Sequence, residues 1–74
     1  MHFKPDVAAF AKSIASNLYI ARKRRGLTQA QLAKLAGVRT ATICQAENNP
    51  SHMQLDTLQK ILDALGLRLT FVER

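Results

Sequence analysis

Leu27-Thr28-Gln29-Ala30-Gln31-Leu32-Ala33-Lys34-Leu35-Ala36-Gly37-Val38-Arg39-Thr40-Ala41-Thr42-Ile43 is the stretch on which the fold turns. Thr28 and Gln31 are spaced as a capping box, in which the N-cap hydroxyl accepts from the N3 amide while the N3 side chain accepts from the N-cap amide. Leu27 before the cap and Leu32 at the fourth helical position match a hydrophobic staple, so the pattern predicts a short helix over 28–36. Leu32, Ala33, Leu35 and Ala36 supply its apolar surface, and Gly37 ends it. After the tight Gly37-Val38-Arg39 connection a second short helix is expected over 39–47, with Ile43 and Ala46 turned inward and Thr42 and Gln45 outward. Two short helices joined by a glycine-containing turn are a recognisable supersecondary unit, and the rest of the chain is read around it.

Upstream, Val7, Phe10, Ile14, Leu18 and Ala21 recur at spacings of three and four, the pattern of one apolar stripe on a long helix over about 6–25. Asp6 or Pro5 starts it and Gly26 ends it, while Arg22, Lys23, Arg24 and Arg25 crowd the last turn, where cations suit the negative end of the helix dipole. Downstream, Asn48-Asn49-Pro50-Ser51 reads as a turn, because Pro50 disfavours helical geometry at Asn49. Leu55, Leu58, Ile61, Leu62 and Leu65 predict a last helix over 54–65, with Gly66 as its C-terminal cap. The period then changes: Leu67, Leu69 and Phe71 alternate with Arg68, Thr70 and Val72, which predicts a strand over about 67–72. No other segment reads as a strand, and a lone strand leaves its backbone groups unpaired. The expected partner is a second copy, its strand pairing antiparallel across a two-fold axis in a homodimer.

The 74 residues leave room for one core, so a single domain over 1–74 is expected, all-α apart from that strand. A core this small gains from self-association, and Cys44, the only cysteine, permits no intrachain disulfide. Apolar residues make up 47% of the chain, enough for a folded protein, yet no apolar run is long enough to cross a bilayer. Met1 to Asp6 lacks the pattern of a secretory signal, so the cytoplasm is the expected compartment and no membrane partner is expected. A net charge of +6 favours a polyanionic partner. Aromatic residues are only 5% of the chain, which argues against the stacking platforms of single-stranded RNA modules. His2 and His52 lack ligand spacing, so no metal or other cofactor is expected, and no Ser/His/Asp order, glycine-rich phosphate loop or carboxylate pair marks an active site.

Residues 14 to 66 resemble the Cro/C1 (XRE-type) helix-turn-helix family, above all in Leu27-Thr28-Gln29-Ala30-Gln31-Leu32-Ala33, Ala36-Gly37-Val38 and Thr42-Ile43 followed by Glu47. Glu47-Asn48-Asn49-Pro50, the final Leu/Ile helix and Leu67-Arg68-Leu69-Thr70-Phe71 make the chain similar, within that family, to the HipB-like antitoxins of HipBA toxin-antitoxin systems. The resemblance implies a lambda-repressor-like four-helix fold, a homodimer joined through C-terminal strands, repression of its own operon at a palindromic operator, and binding to a HipA-like kinase toxin. A stand-alone helix-turn-helix regulator without a toxin, and a toxin-neutralising interaction module with little specific DNA binding, are the alternatives. The sequence departs from the antitoxin pattern in stopping at Arg74, so a contact carried by a longer tail does not transfer. Arg39 stands where many relatives have a Ser or Thr cap; this matches the basic residue of the HipB-like pattern and leaves the helix after it less well capped.

In this motif the second short helix enters the major groove of double-stranded DNA while the first crosses the backbone. Arg39, Thr40, Ala41, Cys44 and Gln45 are the expected base-contacting positions: Gln pairs bidentately with adenine, Arg with guanine, and small side chains meet a thymine methyl. Thr28 and Gln29, at the positive end of the other helix, are expected at a phosphate, where the family pattern puts this Gln, with Arg22 and Lys34 adding charge nearby. Lys23, Arg24 and Arg25 fit equally well as a solvated helix end, and Thr28 and Gln31 also have a purely structural reading as the capping box, equal to the phosphate reading for Thr28 and ahead of any functional one for Gln31. Glu47 reads as a charged residue tying down the loop after its helix, and Cys44 as a thiol with no sign of activation. Leu67, Arg68, Leu69, Thr70, Phe71 and Val72 form the expected dimer strand.

Overall fold

The Asp6 carboxylate accepts the Ala9 amide at 3.0 Å, satisfying one of the free donors of the first turn, and so opens α1, Val7–Arg24. The computed structural model describes residues 6–73; the readings that fell on His2 and Pro5 lie outside the described residues. The buried residues of α1 are Ala11, Ala15, Leu18 and Arg22; Leu18 enters the core it shares with the other helices, and Ile14 and Ala21, partly buried, pack against that core. This corrects the expected stripe: Val7 and Phe10 are 58% and 62% exposed. Two small alanines, Ala11 and Ala15, are buried on this helix instead, and among the described residues nothing buries Val7 or Phe10.

The capping box forms as its spacing predicts. Thr28 Oγ1 accepts the Gln31 amide at 3.0 Å, the Thr28 amide donates to Gln31 Oε1 at 2.8 Å, and α2 follows over Gln29–Ala36. Gly37 stops it with φ +71°, a left-handed conformation that a side chain would strain, and the Val38 amide closes the turn on the Ala33 carbonyl at 3.0 Å. Leu35, expected on the apolar face, is 63% exposed, because Leu32 and Ala33 already fill the side of α2 that meets the core. α3, Thr40–Asn48, begins after Arg39 with no side-chain cap and runs one residue past the expected end.

The Asn49 side chain accepts the Ser51 amide at 3.1 Å and shapes the turn into α4, Leu55–Leu65. Leu58, Ile61, Leu62 and Leu65 line its buried face, whereas Leu55, in the first turn, is 80% exposed and lies outside the core. Every helix supplies at least one of the five largest fully buried side chains: Leu18, Leu32, Ile43, Ile61 and Leu65. Burying each contributes roughly 1.5–3 kcal/mol relative to leaving it in water, so this single cluster holds the four-helix arrangement together.

The strand expected over 67–72 is not present in the single chain: residues 67–73 form no helix or strand, and Phe71 and Val72 are 100% and 83% exposed. The physical reason is that a strand is defined by its ladder, and the described residues offer no second backbone paired with it. Leu67 alone of this segment packs against the core. No helix among the described residues is long and apolar enough to cross a membrane.

Candidate nucleic-acid interface

The outward side of α3 follows from its inward side. Ile43 and Ala46 are fully buried, which anchors the helix by one face and turns the opposite face to solvent. Arg39, Thr40, Ala41, Cys44 and Gln45 are all exposed there, and Thr42 is half-buried at the edge. Ala41, Cys44, Gln45 and Asn48 follow one another at helical spacing, so they form a single row. Asn48 was not singled out from sequence; its distance of four residues from Cys44 was the available signal. Its Nδ2 donates to the Cys44 carbonyl at 2.7 Å and to Cys44 Sγ at 3.4 Å, which holds the carboxamide against the row.

Beside this row lies the N-terminus of α2. A shallow groove of about 520 Å³ opens there, lined by Lys23, Gly26, Thr28, Gln29 and Ala30 among others. The capping box satisfies the Gln31 amide, while those of Gln29 and Ala30 precede the first intrahelical bonds and carry the positive end of the dipole. Lys34 is exposed in the last turn of α2, and Lys23, Arg24 and Arg25 are exposed at the end of α1.

Arg22 is the residue the structure places differently from the expectation. It is 7% exposed, and its Nε and Nη2 donate to the two carboxylate oxygens of Glu47 at 2.6 and 3.0 Å. Nη1 donates to the Leu27 carbonyl at 2.7 Å, and the guanidinium sits over the Tyr19 ring, 5.4 Å from its centroid. A guanidinium committed in this way ties α1 to α3 and to the loop before α2; it is not a free phosphate contact. The hydrogen bonds to Glu47 raise its proton affinity above the ordinary arginine value, outweighing the opposing effect of burial, so it stays charged throughout any workable pH range.

Glu47 was read from sequence as tying down the loop after its helix; among the described residues its partners are instead on other helices. Its Oε1 also accepts from Gln29 Nε2 at 3.2 Å, so one carboxylate on α3 joins α1 and α2. The partners lie 25 and 18 residues away along the chain, beyond the reach of any local pattern. No buried side-chain nitrogen or oxygen among the described residues is left without a partner. An exposed row on one short helix, set beside the capped N-terminus of another across a left-handed glycine, defines a helix-turn-helix module.

The helix-turn-helix family model matches residues 18–72. Antitoxin HipB of Escherichia coli strain K12 is 40% identical over 60 residues, which span 81% of this chain and 68% of that protein. Antitoxin HipB of Escherichia coli O6:H1 is 37% identical over 73 residues, spanning 92% of this chain and 78% of the relative. Among solved structures, a HipA-HipB-O2-O3 complex holds a chain that superposes with a TM-score of 0.80 at 33% identity, over 99% of this chain and 97% of its own length. A HipB-O4 20mer complex gives a TM-score of 0.80 at 35% identity, over 96% and 97%. The chain belongs to the helix-turn-helix family, in its HipB-like antitoxin branch.

Proposed function

We propose that this protein binds double-stranded DNA sequence-specifically as a homodimer on a palindromic operator and represses transcription there, as the antitoxin of a HipBA-like pair. Its partners are then operator DNA, a second copy of itself and a HipA-like kinase toxin, and it works in the cytoplasm without enzymatic chemistry. The observation that carries the reading is the exposed row on α3, anchored by Ile43 and Ala46 beside the capped N-terminus of α2, in a chain that superposes on HipB over nearly its full length. HipB appears in complexes with HipA and with O2-O3 and O4 sequences, which supports both kinds of partner. The net charge of +6 supplies the long-range attraction that a polyanion requires.

Within this reading Gln45 and Arg39 supply the bidentate base contacts, Thr40 and Ala41 pack against thymine methyls, and Cys44 completes the row as a small apolar neighbour. Thr28, Gln29 and Lys34 position the module on phosphates, with the α2 amides beneath them. The test compares two variants on a panel of duplexes carrying single base changes. Gln45→Ala should flatten discrimination at its base pair by about 1–3 kcal/mol, and unchanged discrimination there would remove its reading role. Gln29→Ala should weaken operator and random duplex alike, whereas an effect confined to one sequence contradicts a phosphate contact.

A further inference from the structure

Gln29 stands at the position proposed to meet a phosphate, and its side chain is already held in the free protein. Nε2 donates one of its two hydrogens to Glu47 Oε1 at 3.2 Å, which leaves the other hydrogen as a donor for a phosphate oxygen. Glu47 cannot touch DNA itself, since its side chain is only 5% exposed. A bare carboxylate here would repel a phosphate, but the two-pronged pairing with Arg22 neutralises it. The same Arg22 donates to the Leu27 carbonyl, one residue before the cap that starts α2, so a single network sets both the backbone and the side chain of the phosphate-facing corner.

We infer that Glu47 is a positioning residue for DNA binding, which fixes the Gln29 carboxamide in its binding orientation before DNA arrives. The inference rests on the phosphate role of Gln29 proposed above. A glutamine side chain has three rotatable bonds, and restricting them in the free protein removes an entropic penalty from the binding step. A carboxylate that only cross-linked α1 to α3 would need Arg22 and nothing else; the additional bond to Gln29 brings in the third helix and connects the pair to the binding surface.

The experiment is a cycle of variants read by fluorescence anisotropy on a duplex from the chain's own upstream region. Removing Glu47 alone strands a buried guanidinium, so the paired variant Arg22→Met/Glu47→Met is used, which takes away both charges together. Gln29→Ala in the native background should weaken binding about tenfold. The paired variant should weaken it to a similar degree, with Gln29→Ala adding less than about twofold on top, as coupled residues do. A full tenfold effect of Gln29→Ala in the paired background overturns the positioning role while leaving the phosphate contact standing. No effect of Gln29→Ala in the native background overturns the phosphate contact itself. A readout on the unaltered, DNA-free protein accompanies the cycle and needs no folded variant. By NMR the Gln29 side-chain amide protons should exchange with water more slowly than those of exposed Gln45; equal exchange rates overturn the inference.

Discussion

Residues 27–48 and the two ends of the described chain treat apolar side chains in opposite ways. In the first region Leu32, Ala33, Ile43 and Ala46 are buried, α2 is capped at both ends, and a buried ion pair braces the helices from behind. At the ends, Val7 and Phe10 of α1 and Leu69, Phe71 and Val72 of the C-terminal segment are all exposed. A groove of about 290 Å³ lies between these two sets, lined by Phe10, Ile14, Leu67 and Leu69 among others. The proposed DNA-facing unit is therefore complete within one chain, while the apolar surface at the ends is not. Exposed apolar surface of this extent marks an interaction site, and a second copy is the occupant the proposed dimer supplies.

If the first region is self-sufficient, breaking it should unfold the monomer, and the largest expected effect is that of Leu32→Ala. Removing this fully buried side chain should cost about 2–5 kcal/mol in chemical denaturation, and a loss below about 1 kcal/mol would show that α2 is not held by the core as described. Phe71→Lys probes the other region. It should leave the helical circular dichroism of the chain intact while shifting its sedimentation from dimer to monomer, since the ring makes no contact with its own core. An unchanged dimer mass would remove the C-terminal segment from the interface. Thr28→Ala is the finest probe, expected to cost about 1 kcal/mol through the lost capping bond, with the dimer unaffected. A destabilisation several times larger would mean that Thr28 does more than cap.

The same division explains what was legible in the sequence. The corner from Leu27 to Gly37 could be read because each of its signals is local: a threonine, a glutamine three residues on, two leucines as a staple and a glycine able to adopt φ +71°. The stripe on α1 held at Ile14, Leu18 and Ala21 but not at Val7 and Phe10, because periodicity shows that a helix has an apolar side but not how far along it the core extends. Ala11 and Ala15 carry too little hydrophobicity to be noticed, yet they occupy the buried face. Arg22 looked like one more cation in a basic run, and only the fold brings Glu47 to it from 25 residues away. The alternation in Leu67 to Val72 predicts a strand that the described residues do not form, and such a strand would need a second backbone to pair with.

The central claim is that the α2–α3 corner reads DNA and that two copies do so together. The direct measurement is a fluorescence-anisotropy titration of the protein against its own upstream region and against a scrambled duplex, at two salt concentrations, with sedimentation run in parallel. The account predicts preferential binding of the native sequence by a dimer, weakening steeply as salt rises and the condensed counterions become harder to displace. Equal binding to both duplexes, or none to either, would contradict it and leave a toxin-neutralising interaction module as the function of the same fold.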